Sequence, residues 1–486
     1  MPTNPDVAWA VEDVRARLTR YAKFRNYWAG KHNLTFATDK FVNAFGPLFQ
    51  ELSDNLCDDV VDEPVGRLRI LGWSGPTKEL GQDIQDWWDA NRGGPRSKTV
   101  HRRAFREGDG FTIIWPDAKG IPRLYVQRSE QMAVRYDDDV PDLVAVAAKV
   151  WRDGKRYRLT LYYPDRMERF ATKGLGAEGG LPRPEAFQPL PPEKGPGGVD
   201  LTPEQVNEWG RMPVFHLPQD EISAYGRSVL DDVIPLQDAL NKSVCDMLVA
   251  GEFHALPQRW GVGITLEHDP ETGKEVNPFK SGAERFWRTG NENAQFGQFA
   301  QADLAGFLAQ QNDLRMEIAR KGCLPPWSVN LQGAVPSGTS LLVLDGRAVK
   351  RAGDAQENWG PAWREMAALA MTMSGKGEIT GDMIDMEWGP AATRDEQALV
   401  ETLQGKVALG VSNHQALLEM GYDEDKISEM EEAQAEADAR KFEQQQTMAG
   451  GRLPASPQAA ARLSQALGLP AAPPAPGPGA PPLTLV

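Results

Sequence analysis

Two long helical patterns, separated by a stretch that cannot itself be helical, constrain this chain more than any other feature. Over 226–250 the apolar positions Val229, Val233, Leu236, Leu240, Val244 and Leu248 recur three or four apart, the spacing of one helix face. Helical throughout, that segment would span about 37 Å. Pro235 sits near its start, where a kink is expected. The same period returns at Leu304, Phe307, Gln311, Leu314 and Ile318 and stops at Gly322-Cys323-Leu324-Pro325-Pro326. In between, Pro257, Gly261, Gly263, Pro270, Gly273, Pro278, Gly282 and Gly290 interrupt every helical register. Two antiparallel helices joined by such a module cannot bury both of their faces within one chain.

The rest of the chain supplies a body for this pair. At 486 residues it is long enough for about three domains. Residues 7–30 predict a helix with Val14, Leu18, Tyr21, Phe24 and Trp28 on one face, and Phe41, Phe45, Leu48, Phe49, Leu52 and Leu56 predict a second. From Gly110 the period changes to two. Short β-rich runs at 111–115, 123–127, 131–136, 143–151, 156–163 and 167–171, parted by Asp, Gly and Pro, read as an antiparallel meander. Met212 to Leu217 reads as one returning strand. Residues 173–204 are so dense in Gly and Pro that a mobile loop is expected. A third long helix carries Leu341, Leu344, Ala348, Ala352, Ala355, Trp359, Trp363, Met366 and Ala370 on one stripe. Ser337 or Thr339 can cap its start, and Gly346, Gly353 and Gly360-Pro361 are candidate bends. Residues 393–445 read as short helices ending in the charged stretch Glu429 to Lys441. From Thr447 onward the chain is Ala, Gly and nine prolines, the composition of a disordered tail. The fold class is α+β, mainly α.

Composition removes several kinds of function. No apolar run approaches the ~20 residues of a transmembrane helix, and the segment Met1 to Asp6 carries no signal-peptide pattern. Cys57, Cys245 and Cys323 are too few and scattered for a disulfide framework or a zinc cage, so assembly in a reducing cytoplasm is expected. The net charge is −15. A protein that grips DNA draws affinity from counterion release at a basic face. The balance here argues against a tight DNA binder, but not against a protein that DNA must pass without sticking.

Catalytic signatures are missing. Gly93-Gly94-Pro95-Arg96-Ser97-Lys98-Thr99 lacks the Gly-Lys pair of a phosphate loop, and there is no G-x-S-x-G elbow. Gly261-Val262-Gly263 has no third glycine. His32, His101, His216, His254, His268 and His414 stand isolated, without zinc-ligand spacing. Asp58-Asp59 and Asp137-Asp138-Asp139 read as solvated turn charges before cation ligands. No enzymatic activity, catalytic residue, metal or cofactor is therefore expected.

The order of these elements resembles the portal (connector) proteins of tailed double-stranded-DNA bacteriophages, of the type found in long-tailed phages of actinobacteria. The motifs are similar as well: Tyr27-Trp28-Ala29-Gly30-Lys31-His32 with Phe45, Asn55-Leu56-Cys57-Asp58-Asp59-Val60-Val61-Asp62, Ile113-Ile114-Trp115-Pro116-Asp117 and Leu161-Tyr162-Tyr163-Pro164-Asp165. The strongest stretch runs from Ser228 through Leu236-Gln237-Asp238-Ala239-Leu240-Asn241-Lys242 to Pro257-Gln258-Arg259-Trp260, and Pro336-Ser337-Gly338-Thr339-Ser340-Leu341 opens the third helix. The likeness covers about residues 8 to 440. No one motif is diagnostic; the collinear set is fairly specific. Thr339-Ser340 departs from the acidic or alanine positions usual after Ser-Gly, which bears on the helix start.

The resemblance implies a homo-oligomeric ring, usually of twelve subunits, at one capsid vertex of a virion, assembled in the host cytoplasm. Double-stranded DNA would enter and leave through its channel without sequence-specific contacts. By order, 1–225 would be the wing, 226–250 and 302–322 the two stem helices, and 251–301 the clip. Residues 323–338 would form the channel loop region, 339–390 a long helix returning to the wing, 391–446 the crown and 447–486 a disordered tail. Implied partners are the terminase large subunit, major capsid and scaffolding proteins and head-tail adaptor proteins; no membrane is involved. In such a ring each stem pair packs on its neighbours and turns one polar face to the channel.

Asp231, Asp232, Asp238 and Asp246 are candidates for that face, where copies would repel phosphates and keep contacts brief. The alternative is that they face solvent or pair with Arg227 and Lys242. Leu331-Gln332-Gly333-Ala334-Val335 is the candidate channel loop, against a plain surface connector. Phe253, Trp260, Phe279, Phe286 and Trp287 are candidate partner contacts of the clip, against packing within it. A minor capsid or scaffold-binding protein, or an enzyme acting on nucleic acid with carboxylates from distant segments, are the competing functions.

Overall fold

The computed structural model describes residues 4–32, 54–175, 180–195, 198–219, 224–255, 259–263, 267–268, 272–273, 275–276, 291, 293–298, 304–329, 338–392, 396–420, 422 and 424–448. The chain divides into two units, Met1–Thr393 and Arg394–Val486. The expected helix over 41–56 lies largely outside the described residues, as do the channel loop 331–335 and the tail from 449.

Helix α1 (Pro5–Trp28) begins where its sequence says it should. The Asn4 side chain accepts from the Asp6 N–H, and Pro5 occupies the first turn, where its missing N–H costs nothing. Its first half buries Val7, Ala10, Val11 and Val14 against a sheet, and its second half sends Tyr21, Phe24 and Tyr27 into the main core.

Residues 57–107, for which no elements are predicted above, form α2 (Cys57–Arg67), β1 (Ile70–Ser74), α3 (Lys78–Ala90) and α4 (Gly93–Glu107). The glycine pair compared above with a phosphate loop opens α4. A Cβ at Gly93 would collide with the Trp88 ring, so packing requires this glycine.

The strands β2 (Asp109–Pro116), β3 (Pro122–Gln127), β4 (Met132–Tyr136), β5 (Val144–Asp153), β6 (Arg156–Tyr162) and β7 (Arg166–Ala171) fall where the period-two runs predicted them. They do not form one meander. A 3₁₀ turn at Ser129–Gln131 carries the chain from one sheet to another. The edge of β3 is closed by side chains: Trp87 donates to the Pro122 carbonyl (3.1 Å) and the Leu124 N–H donates to Asn91 (3.0 Å). No strand can add there. Residues 173–204 are likewise no plain loop. They carry β8 (Gln188–Pro189), β9 (Glu193–Lys194), β10 (Asp200–Leu201) and β11 (Glu204–Val206), and β8 and β11 pair with β7. Buried Phe187 and Leu190 anchor the stretch, and Glu193 pairs with Arg156 at 2.8 Å. Edge positions accept proline because no ladder N–H is required. The returning strand, β12 (Val214–Pro218), pairs with β2, giving sheets ordered β12-β2-β3 and β11-β7-β6-β5-β4.

The first long helix is α5 (Ile234–Ala255), not 226–250. The Ser228 hydroxyl donates to the Arg106 carbonyl (2.6 Å) and the Val229 N–H donates to Phe105 (3.0 Å), so 228–233 are held in turns against the end of α4. Pro235 therefore sits in the first turn of α5, where it disturbs nothing. Between the helices lie β13 (Arg259–Val262), β14 (Glu267–His268), β15 (Glu275–Val276) and β16 (Gln295–Gln298), paired β13-β16 and β14-β15. Helix α6 (Ala305–Gly322) follows, then the short α7 (Pro326–Val329) and α8 (Gly338–Met373).

Helix α8 runs unbroken through Gly346, Gly353 and Pro361, which do not bend it apart, and ends at Met373, just past the Ala370 end of the predicted stripe. The chain returns as β17 (Asp385–Trp388), antiparallel to β1. Trp359 and Trp363 of α8 are wholly buried with Phe105, Trp88 and Trp73 in the largest core. The second unit holds α9 (Glu396–Ala408), α10 (Asn413–Met420) and α11 (Glu424–Met448), with Leu403, Ala416 and Ile427 buried.

Candidate functional site

Helices α5 and α6 pack on each other across a seam that is partly polar. Ser243 and Gln311 are buried in it. Ser243 donates to Gln310 (3.2 Å) and the Gln311 amide reaches the Met247 sulfur (3.7 Å).

The root of the pair is seated on the end of α1 by a hydrogen-bonded network. The Gln237 side chain accepts from the Leu56 N–H (3.0 Å) and donates to the Asp54 carbonyl (2.5 Å). Its amide also reaches Asn241 (3.2 Å), which bonds the His32 ring at 2.7 Å. The other His32 nitrogen lies 3.1 Å from Asn55. The Tyr27 hydroxyl donates to Asp238 (2.8 Å) and Arg315 of α6 pairs with Asp54 (2.8 Å). Gln237 and Asn241 are almost fully buried, and buried amides hold a geometry only while their bonds are made. Three motifs far apart in the sequence, around Tyr27, Asn55 and Gln237, thus meet at one place.

A second knot ties the segment leading into α5 to the sheets. Asp109, fully buried at the start of β2, accepts from the Tyr21 hydroxyl (2.5 Å) and the Gly226 N–H (2.8 Å) and bonds His216 (2.8 Å). His216 stacks on Phe111 at 4.4 Å and bonds the Tyr136 hydroxyl (2.8 Å). Arg17 donates to Tyr21 (2.9 Å) and to the Met132 carbonyl (2.9 Å).

Beside this knot, Glu107 is buried, with Arg106 at 2.8 Å on one oxygen. Burial pushes its pKa up to about 7, against the pull of Arg106. A carboxyl raised in the folded state contributes stability below its unfolded value near 4.5, and loses it as pH rises through 7. The loss is roughly 3 kcal/mol. Glu107→Gln removes the ionisation. Urea unfolding at pH 4.5 and 8 should therefore show a smaller drop for the variant than for the native chain; an equal drop refutes the assignment.

The four candidate aspartates are all partnered. Asp232 pairs with Arg227 (2.6 Å) and Asp246 with Lys242 (2.5 Å). Asp231 lies 3.2 Å from Arg20 and 3.8 Å from Arg227. Asp238 is bound to Tyr27, and its pKa is raised, first by burial. Asp232 and Asp246 keep the most exposed side chains, at 51% and 44%. Asp231 and Asp232 lie in the turn before α5, not on the helix. Of the aromatic candidates, Trp260 on β13 is 38% exposed and covers Gly297 of the partner strand. Phe279, Phe286 and Trp287 lie outside the described residues, as does the surroundings of the Phe253 side chain.

Large apolar side chains stay exposed along the helices: Leu248 on α5 (40%), Leu308 and Met316 on α6 (52% and 37%) and Val343 on α8 (77%). Among the described residues no group of three or more His, Cys, Asp or Glu is placed to hold a metal ion. No helix among them is long and apolar enough to cross a membrane.

A family model described as phage portal protein, SPP1 Gp6-like, matches residues 11–442. No curated protein matches the chain. Solved structures similar to it include the neck of the native GTA particle computed with C12 symmetry, at 12% identity over 80% of this chain and 95% of that one, with a TM-score of 0.45. The neck of the empty GTA particle computed with C6 symmetry has the same identity and coverage and a TM-score of 0.47. A chain of the native gene transfer agent virion is 13% identical over the same shares, with a TM-score of 0.41. The chain belongs to the SPP1 Gp6-like family of phage portal proteins and is a structural portal component of a virion.

Proposed function

We propose that copies of this chain, twelve by analogy with the family, close into a ring at one capsid vertex, with a channel through which double-stranded DNA is packaged and ejected. The observation that carries this reading is the exposed apolar set Leu248, Leu308, Met316 and Val343 on the long helices. A single chain leaves these side chains in water, and a neighbouring copy offers them a partner. Assembly would take place in the host cytoplasm. Residues 226–250 and 302–322 serve as the stem, the loop 331–335 meets the duplex, and Asp232 and Asp246 are the aspartates best exposed to line the channel. Each brings its own cation, so repulsion of phosphates would come from the net charge of the chain as a whole. Residues 251–301, Trp260 included, would dock the terminase large subunit and later the head-tail adaptors, and the wing would meet capsid and scaffolding proteins. The role is that of a conduit, without chemistry on the DNA.

The test is Leu308→Glu combined with Val343→Glu. Native protein should form rings with a central hole in negative-stain images, with a mass of many subunits. The double variant should stay a folded single chain, with unchanged far-ultraviolet circular dichroism. Native protein that remains a single chain at every concentration, or variant rings of native size, would refute the proposal.

A further inference from the structure

The face of the larger sheet that is turned toward the β12-β2-β3 sheet carries a cationic row that the portal role does not use. Lys149 on β5 is registered with Thr160 on β6, and Thr160 with Arg169 on β7. Adjacent strands lie about 4.8 Å apart, so Lys149 and Arg169 flank Thr160 at about 10 Å from each other. They line a cavity of about 400 Å³. Its opposite wall is Trp115 of β2 and Tyr125 of β3, and Trp151 stands beside Lys149, its ring 4.8 Å from the ammonium nitrogen.

The charges in this cleft are not balanced alike. Arg158, one row along, has carboxylates from both Asp153 and Glu193. Lys149 has none among the described residues, and burial lowers its pKa. Among the described residues Arg169 is met by neutral oxygens, the Thr202 carbonyl (3.2 Å) and Gln205 (2.6 Å), and its pKa too is lowered, first by burial. A partly buried cation without an anion carries a desolvation cost that no carboxylate offsets, and in a chain of net charge −15 carboxylates are not scarce. An apolar side chain at position 149 would serve the sheet better. The cavity has the volume of a small-ligand site, aromatic walls and a few polar groups; the one carboxylate in its lining, Asp153, is paired with Arg158 at 2.6 Å.

We propose that this cleft binds a small organic anion, with one carboxylate or phosphate group held between Lys149 and Arg169 and a flat body stacked on Trp115, Tyr125 and Trp151. The competing occupant is an acidic segment of a neighbouring copy, and the experiment separates the two.

Calorimetric titration of the full-length chain, as single chains and as rings, would use adenosine monophosphate and 2-naphthoate as probes, with adenosine and 2-naphthylmethanol as uncharged controls. At least one anion should bind saturably to both forms, and about tenfold or more tightly than its neutral counterpart, the weight of a charge-assisted hydrogen bond. Lys149→Met and Arg169→Met should each weaken that anion about tenfold or more. Unliganded Lys149→Met should melt at or above the native temperature, which separates lost binding from lost folding. Three results would overturn the proposal: no saturable binding of either anion, binding indifferent to both substitutions, or binding by single chains that disappears in rings. The last would assign the cleft to the subunit interface. Should the chain form no rings, the single-chain titrations decide alone, so the proposal stands apart from the ring reading.

Discussion

Gly226→Val should leave the chain unable to reach its native fold, at a cost above about 4 kcal/mol, the range reserved for a broken core. A Cβ on Gly226 would run into the Gly108 carbonyl and come within 2.6 Å of the Gln219 nitrogen. Both obstacles are backbone, and neither can rotate away. Gly108 has a φ of +95°, and a Cβ there would strike the Gly226 carbonyl in turn. Two strands of chain therefore cross at contact distance, joined by the Gln219 N–H donating to Gly108 (2.8 Å) and the Gly226 N–H donating to Asp109 (2.8 Å). Pushing them apart would also unpair Asp109, a fully buried carboxylate shared with Tyr21 and His216. A contrasting glycine gives the control. Gly353, inside α8, has nothing within 4 Å of its added Cβ, so Gly353→Ala should gain up to about 1 kcal/mol from helix propensity. Soluble yield and thermal melting measure both. Native-like melting of Gly226→Val would show that the crossing has slack.

That crossing was invisible in the sequence, and the reason separates what could be read from what could not. Periodicity is local, so α1 with Val14, Tyr21 and Phe24, the strands β2 to β7 and the stripe of α8 were all legible. Pairing is not local. The 3₁₀ turn at Ser129–Gln131 that divides the strands into two sheets has no signal apart from the sheets it joins. Helices α3 and α4 were as legible as α1, with Leu80, Ile84, Trp87 and Trp88 behind the Thr77 cap and Val100, Ala104 and Phe105 at helical spacing; what the spacing does not show is their distant partners, Trp363 on Trp88 and Trp359 on His101. The true start of α5 is set by Ser228 and Val229 bonding to the end of α4, more than a hundred residues earlier. The seat of the helix pair was half legible. Tyr27, Asn55 and Gln237 each stood in a motif quoted for the resemblance, but nothing in their spacing said that they meet. Lys149 passed unnoticed inside a β-rich run, since a missing carboxylate is a property of neighbours across strands.

Trp363→Ala is the second substitution expected to be severe, because it strikes the place where α8 is anchored. Trp363 is wholly buried. Its ring meets Trp88 edge-on at 5.5 Å, and its indole N–H donates to His101 Nε2 (3.0 Å). Truncation loses the transfer energy of the ring and leaves a cavity, together about 3–5 kcal/mol, and it orphans a buried nitrogen. Trp363→Phe keeps most of the volume but not the donor, so it should cost less, the difference reporting the cavity. The His101 ring supplies a second readout. It is sealed between Trp359 and Trp363, and burial alone pushes its pKa down to about 3. A histidine depressed in this way contributes stability above its ordinary value near 6.5, and that stability is lost as pH falls toward 3. Opening the cluster to water lets the ring accept a proton sooner. Trp363→Ala should therefore unfold in acid at a pH about one unit or more above the native midpoint, whereas Trp363→Phe, which keeps the ring enclosed, should stay near it. If the two variants lose stability in parallel at every pH, His101 is not sealed by Trp363, and the anchor of the long helix lies elsewhere in the cluster.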